Sequence, residues 1–353
     1  MNETRGLLRR TAGHAADFLE TLDDRPVFPS VTVEQLREQL GGPLPDEPTD
    51  PARVIDDLVA GAGPGVVAIP SGRYFGFVIG GAVPAALAAD WLTSAWDQNA
   101  GLYVAGPSAS VVEEVAGAWL KELLGIPAQT SFAFVTGCQM ANFTALAAAR
   151  WHVLARAGWD VNADGLAGSP QVRVLCGAEV HVTVTRALRL LGLGAPEIVA
   201  ADDQGRMVAS ALRDALQGTS GPAIVCAQAG DVNTGAFDPL PEIADAAREA
   251  GAWLHVDGAF GLWAAASPSF AHLVAGAELA DSWATDAHKW LNVPYDCGLV
   301  FCAHPDAHRA AIGVHAEYLI LGDEGTVRDQ MDWTPEFSRR ARGFTVYAAL
   351  HRR

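Results

Sequence analysis

The hydrophobic positions of this chain follow two rhythms. Short apolar runs starting at Phe132, Val172, Glu197, Ala223, Trp253, Ser282 and Gly298 are bounded by turn-forming residues and read as seven strands. Between most of them the spacing is helical: after Gly137 through Arg150, over 208–216, and over 239–250. Strands alternating with helices predict an α/β fold with a mainly parallel sheet, whose ligand loops gather at the carboxyl edge. Before the first strand the chain reads as helical at 11–22, 32–40, 85–96 and 110–124. Asp50-Pro51 starts a further helix with proline at its first position, after a proline-rich linker over 41–51. At the other end, 338–353 reads as a helix whose Phe344, Val346, Tyr347 and Leu350 form an apolar face that needs cover.

The segment 281–302 breaks this regularity. Two strand-like runs flank Ala-His-Lys-Trp-Leu-Asn-Val-Pro-Tyr-Asp-Cys, a turn-rich stretch centred on Lys289. Lysine is strongly hydrated and rarely buried. An isolated one would be read as a side chain snorkelling to the surface. Upstream, however, Trp-Leu-His-Val-Asp ends a strand on Asp257, and Gly-Ala-Phe-Gly turns away from it. A carboxylate and a lysine at similar strand ends suit pyridoxal phosphate: the acid keeps the pyridine nitrogen protonated and the lysine carries the aldehyde as a Schiff base.

Together, Val-Asp-Gly-Ala-Phe-Gly and His-Lys-Trp-Leu-Asn-Val-Pro-Tyr-Asp-Cys-Gly resemble the motifs of the group II pyridoxal-phosphate-dependent amino acid decarboxylases. Aromatic amino acid, glutamate and diaminobutyrate decarboxylases are among them. The resemblance runs from about Ala15 to the last residue. It implies an aspartate-aminotransferase-like (fold type I) large domain, pyridoxal 5′-phosphate as cofactor, and decarboxylation of an L-amino acid to the amine and carbon dioxide. Lys289 and His181 would be catalytic, His181 stacking on the pyridine ring. The strand, glycine turn and helix start at Gly137, Cys138 and Gln139 form an anion site that would take the phosphate. Asn233, Thr234, Asp257, Ala259 and His288 complete the implied cofactor contacts, and Asp286 would approach the phosphate. Tyr74, Phe75 and Phe77 match a stretch that lines the substrate side, and 97–101 would lie near the cofactor. Where relatives carry a mobile-loop tyrosine that protonates the carbanion, this chain places Gln330 or Met331, and Tyr318 lies well upstream. Aldehyde-forming decarboxylation, carbon–carbon lyase action, transamination, or a truncated and catalytically silent homologue therefore stand as alternatives.

The resemblance also implies an organisation: an N-terminal helical arm over 1–60 that wraps a second copy in a homodimer, a large cofactor domain over 61–312, and, over 313–353, a mobile loop and the start of a C-terminal domain that relatives continue. Composition agrees with an enzyme. Half of the residues are hydrophobic and the formal charge is −17, which argues against nucleic acid or an anionic membrane as partner. The apolar run over 79–89 is short and interrupted by Pro84, so it is not a membrane span. Five scattered cysteines without a Cys-x-x-Cys pair read as reduced thiols of a cytoplasmic protein. His304 and His308 share a helical spacing but lack a third ligand, so no metal site is expected.

Overall fold

The computed structural model describes residues 3–218, 221–314 and 327–351. The chain divides into two compact units, Met1–Gly81 and Ala82–Arg353.

The first unit holds α1 (Glu3–Glu20), α2 (Val33–Leu40) and α3 (Pro51–Ala62). Each start has a local cause. Thr32 and Gln35 close a reciprocal capping box on α2. Asp50 accepts from the Ala52 and Arg53 amides, and Pro51 supplies a preset first turn for α3. Arg10 and His14 of α1 both reach Asp56 of α3. The helix expected over 11–22 starts eight residues earlier.

In the second unit, α4 (Pro84–Trp96) and α5 (Pro107–Leu124) precede the sheet. The strands are β1 (Ser131–Val135), β2 (Arg173–Gly177), β3 (Glu197–Val199), β4 (Ala223–Gln228), β5 (Trp253–Asp257), β6 (Ser282–Asp286) and β7 (Gly298–Cys302). All seven expected strands are present, in spatial order β1-β7-β6-β5-β4-β2-β3. Only β7 runs against its neighbours. The ends of β1, β2, β4, β5 and β6 therefore meet at one edge. Strands β1, β5, β6 and β7 are buried along their whole length, which explains why they read as continuous apolar runs.

The connecting helices are α6 (Cys138–Arg156), α7 (Val161–Asp164), α8 (Val182–Leu190), α9 (Ala209–Leu216), α10 (Leu240–Glu249) and α11 (Pro305–Ile312). The last described helix, α12 (Gly343–His351), packs on α4 and α5. Val346 and Leu350 are buried there, Phe344 meets Trp96 edge-on, and Tyr347 stacks on Trp119. The chain's own helices thus cover the face that the sequence left open. The helix starts later than residue 338 because the preceding arginines are tied elsewhere. Arg339 binds Glu113 and the carbonyls of Ala100 and Phe134, Arg340 binds Asp90, and Arg342 binds Asp296. Among the described residues, no helix is long and apolar enough to cross a membrane.

Candidate active site

Sheet register builds the site. Gly298 at the start of β7 pairs with Asp286 on one side and Val135 on the other. Gly137, two residues past Val135, is thereby brought against β7. A Cβ on Gly298 would fall 2.3 Å from the Gly137 carbonyl carbon, so only glycine allows this approach. Gly137 caps α6 with φ 151°, a region that L side chains rarely adopt. The free amides of the α6 N-terminus consequently face the end of β6.

A carboxylate already sits there. The Cys138 amide donates to Asp286 Oδ1 at 2.6 Å. The other oxygen, Oδ2, lies 3.2 Å from Lys289 Nζ, and His288 Nε2 is 3.4 Å from Oδ1. Burial raises the Asp286 carboxyl above the usual carboxylate range, against the pull of His288 and Lys289. Burial also lowers His288, whose Nδ1 accepts the Cys297 amide and whose ring lies 4.3 Å from that of Tyr295. The Asp286 backbone is fixed as well, its amide donating to Ala259 and its carbonyl accepting from the Trp263 indole.

Asp257, the last residue of β5, forms the other end. Its carboxylate accepts from Asn142 Nδ2 at 3.0 Å, from the Ala259 amide at 3.1 Å and from Cys138 Sγ at 3.5 Å. Burial and the nearby Asp257 and Asp286 raise the Cys138 thiol well above its ordinary range, so it remains a donor. Contacts thus run without a break from Asp257 through Cys138 and Asp286 to Lys289.

His181 caps α8, where its Nδ1 accepts from the Thr183 amide and lies 2.8 Å from Thr183 Oγ1. Gln139 donates to the Thr183 carbonyl, and its buried Oε1 has no partner among the described residues. The structure therefore brings Gly137, Cys138, Gln139, His181, Asp257, Ala259, His288 and Lys289 to one edge. The Asn233 and Thr234 amides both bind Asp231, and Thr234 Oγ1 donates to the Gln204 carbonyl. Tyr74, Phe75 and Phe77 lie in the first unit, Tyr74 against Phe28 and the two phenylalanines exposed. Asn99, in the 97–101 loop, accepts from the Gly101 and Arg339 amides. Gln330 is buried on Ser110 and Arg328, and Met331 is buried too, so neither projects as a proton donor. Tyr318 lies outside the described residues. His304 binds Asp281, whereas His308 binds Ser131 and the Trp333 carbonyl, so the pair does not converge. Asn142 and Thr183 are contributors that sequence reasoning missed. An asparagine inside the alanine-rich α6 was the available signal.

This sheet, with its one reversed strand and its site at the carboxyl edge, is that of a fold type I α/β enzyme. The chain belongs to the pyridoxal-dependent decarboxylase family, whose conserved domain matches residues 34–352. It is 32% identical to a tyrosine decarboxylase of Oryza sativa subsp. japonica, over 99% of this chain and 68% of that one. An aromatic-L-amino-acid decarboxylase of Bacillus atrophaeus is 30% identical over 95% of this chain and 69% of its own. A crystal structure of Oryza sativa TDC with PLP and tryptamine superposes with a TM-score of 0.91 at 26% identity, covering all of this chain and 74% of that one.

The chain is accordingly a pyridoxal-phosphate-dependent amino acid carboxy-lyase. Its residues fit that cofactor. A donor-surrounded carboxylate, a primary amine at the next strand end, and a helix N-terminus opened by Gly137 are the three features the cofactor requires.

Proposed function

We propose that this protein removes the α-carboxyl group of an aromatic L-amino acid, with Lys289 as the residue that holds the cofactor's aldehyde. The observation that carries the residue assignment is the continuous contact path Asp257–Cys138–Asp286–Lys289. The aromatic preference rests on the tyrosine and aromatic amino acid decarboxylases among its relatives.

When bound, pyridoxal phosphate accepts the electron pair that the departing carboxylate leaves on the α-carbon. The chain supplies the rest. Asp257 would face the ring nitrogen and favour its protonated form. His181 would lie across the ring face. The amides after Gly137 would take the phosphate, and Asp286 would then give up its hydrogen bond from the Cys138 amide. Ala259 holds Asp257 and Asp286 in register through its own backbone.

The protein is read as a cytoplasmic homodimer. In support, α1 buries none of its residues although it carries exposed Leu8 and Leu19, and the five cysteines are unpaired thiols. The test of the function is product analysis of the loaded protein with L-tyrosine, L-tryptophan and L-glutamate. Equimolar amine and carbon dioxide from the aromatic substrates are expected. An aldehyde with ammonia in place of the amine, or turnover of glutamate alone, would contradict the proposal.

A further inference from the structure

Asn142 is fully buried on α6, facing the sheet. A buried primary amide is costly unless its donors and acceptor are all used. Here they are. Nδ2 donates to Asp257 Oδ2 at 3.0 Å and to Thr183 Oγ1 at 3.2 Å, and Oδ1 meets His255 Nε2 at 2.9 Å.

The orientation of every group in this chain is fixed by chemistry. Asp257 accepts, so the NH2 of Asn142 faces it and the carbonyl oxygen faces His255. His255 Nε2 must then carry a proton. Burial pushes the His255 imidazole down to about 4, so the ring is neutral and Nδ1 is an acceptor. Nδ1 lies 2.9 Å from Ser282 Oγ, which therefore donates to it. Ser282 Oγ in turn accepts from the Trp253 indole, a group that can only donate, at 2.9 Å. All bonds point the same way: Trp253 to Ser282, Ser282 to His255, His255 to Asn142, Asn142 to Asp257. Hydrogen bonds aligned head to tail polarise one another. A branch runs from Asn142 through the Thr183 hydroxyl to His181 Nδ1.

We propose that Asn142, His255 and Ser282 are positioning residues that present Asp257 to the cofactor's ring nitrogen as a fixed carboxylate, with Asn142 also fixing the plane of the His181 ring. This deepens the assignment of Asp257 made above and rests on it. None of the three touches the reacting atoms.

The first readout needs no cofactor. In 15N-histidine-labelled protein, His255, assigned by its loss in His255→Gln, is expected as the neutral Nε2–H tautomer at pH 7. An Nδ1–H tautomer or a cation would overturn the proposal. The second readout uses protein loaded with pyridoxal phosphate carrying 15N in the ring. Wild type is expected to show the protonated nitrogen. Asn142→Leu and His255→Phe should bind the cofactor yet move its ring signal toward the unprotonated form. Their kcat should fall about tenfold or more with little change in KM, the pattern of an interaction used in the transition state. His255→Gln keeps a donor toward Asn142 and an acceptor toward Ser282, and should restore most of both. Ser282→Ala serves where a larger change fails to fold. A protonated ring and unchanged kcat in folded Asn142→Leu or Ser282→Ala would overturn the proposal alone. Failure of wild type to take up pyridoxal phosphate would instead overturn the functional reading.

Discussion

The two ends of the site differ in how complete they are. Around Asp257 the donors come from α6 and from the turn after β5, and behind them stands a buried network with every bond made. At the N-terminus of α6 the Cys138 amide is already used, by the chain's own Asp286. With the residue roles proposed above, the ring-nitrogen end would be preorganised for its partner. The phosphate end would have to give up an internal anion before taking an external one. A fixed end and an exchangeable end would then hold the cofactor's electronic environment constant while its loading depended on the charge of one carboxyl.

Two substitutions separate these ends. The larger effect is expected at the fixed end. Asp257→Asn keeps the shape and removes the charge, and should lower kcat/KM about 10³-fold, the scale of losing a preorganised electrostatic partner. Steady-state rates on the loaded enzyme check this, and a fall of less than tenfold would mean that the two ends do not differ in the way described. At the exchangeable end, Asp286→Asn removes the competing anion. Pyridoxamine 5′-phosphate, which cannot bond to Lys289 through an aldehyde, should bind about tenfold tighter, the equivalent of one pKa unit. The sign of the pH dependence follows from the raised Asp286 carboxyl. Protonation neutralises it, so wild-type affinity for pyridoxamine phosphate should rise as pH falls through that raised value and decline as pH rises. Lys289, His288 and the Cys138 amide also face Asp286, and the Asp286→Asn variant isolates its share. Isothermal titration across pH 5–8 would show it, and equal slopes for both proteins would break the comparison.

Much of the fold was legible because its signals are local. Seven strands declare themselves as short apolar runs, although β3 leaves Glu197 and Ile198 exposed, and Thr32 and Asp50 mark helix starts through bonds to the next three residues. Lys289 and Asp257 stood out because each is a charged residue at the end of such a run. The rest depends on contacts between distant positions. Nothing near Asp286 announces that its oxygen will meet an amide 148 residues away. Nor does the local sequence show that Asn142 will join His255, or that Arg339 will meet Glu113 as a fully buried pair. Asn233 and Thr234 lie in a turn whose internal order is likewise not visible in the sequence, Asp231 accepting from both of their amides. The helix start expected at residue 338 fails because Arg339, Arg340 and Arg342 find distant acceptors that local periodicity does not encode.

The most direct test of the account is to load the protein with pyridoxal phosphate, reduce it with borohydride, and locate the adduct by peptide mass spectrometry, with Lys289→Ala in parallel. A pyridoxyl group on Lys289 alone, absent from the variant together with the visible band of the bound cofactor, is the predicted result. An adduct on Lys121, or an unmodified Lys289 in folded protein that binds the cofactor, would contradict it.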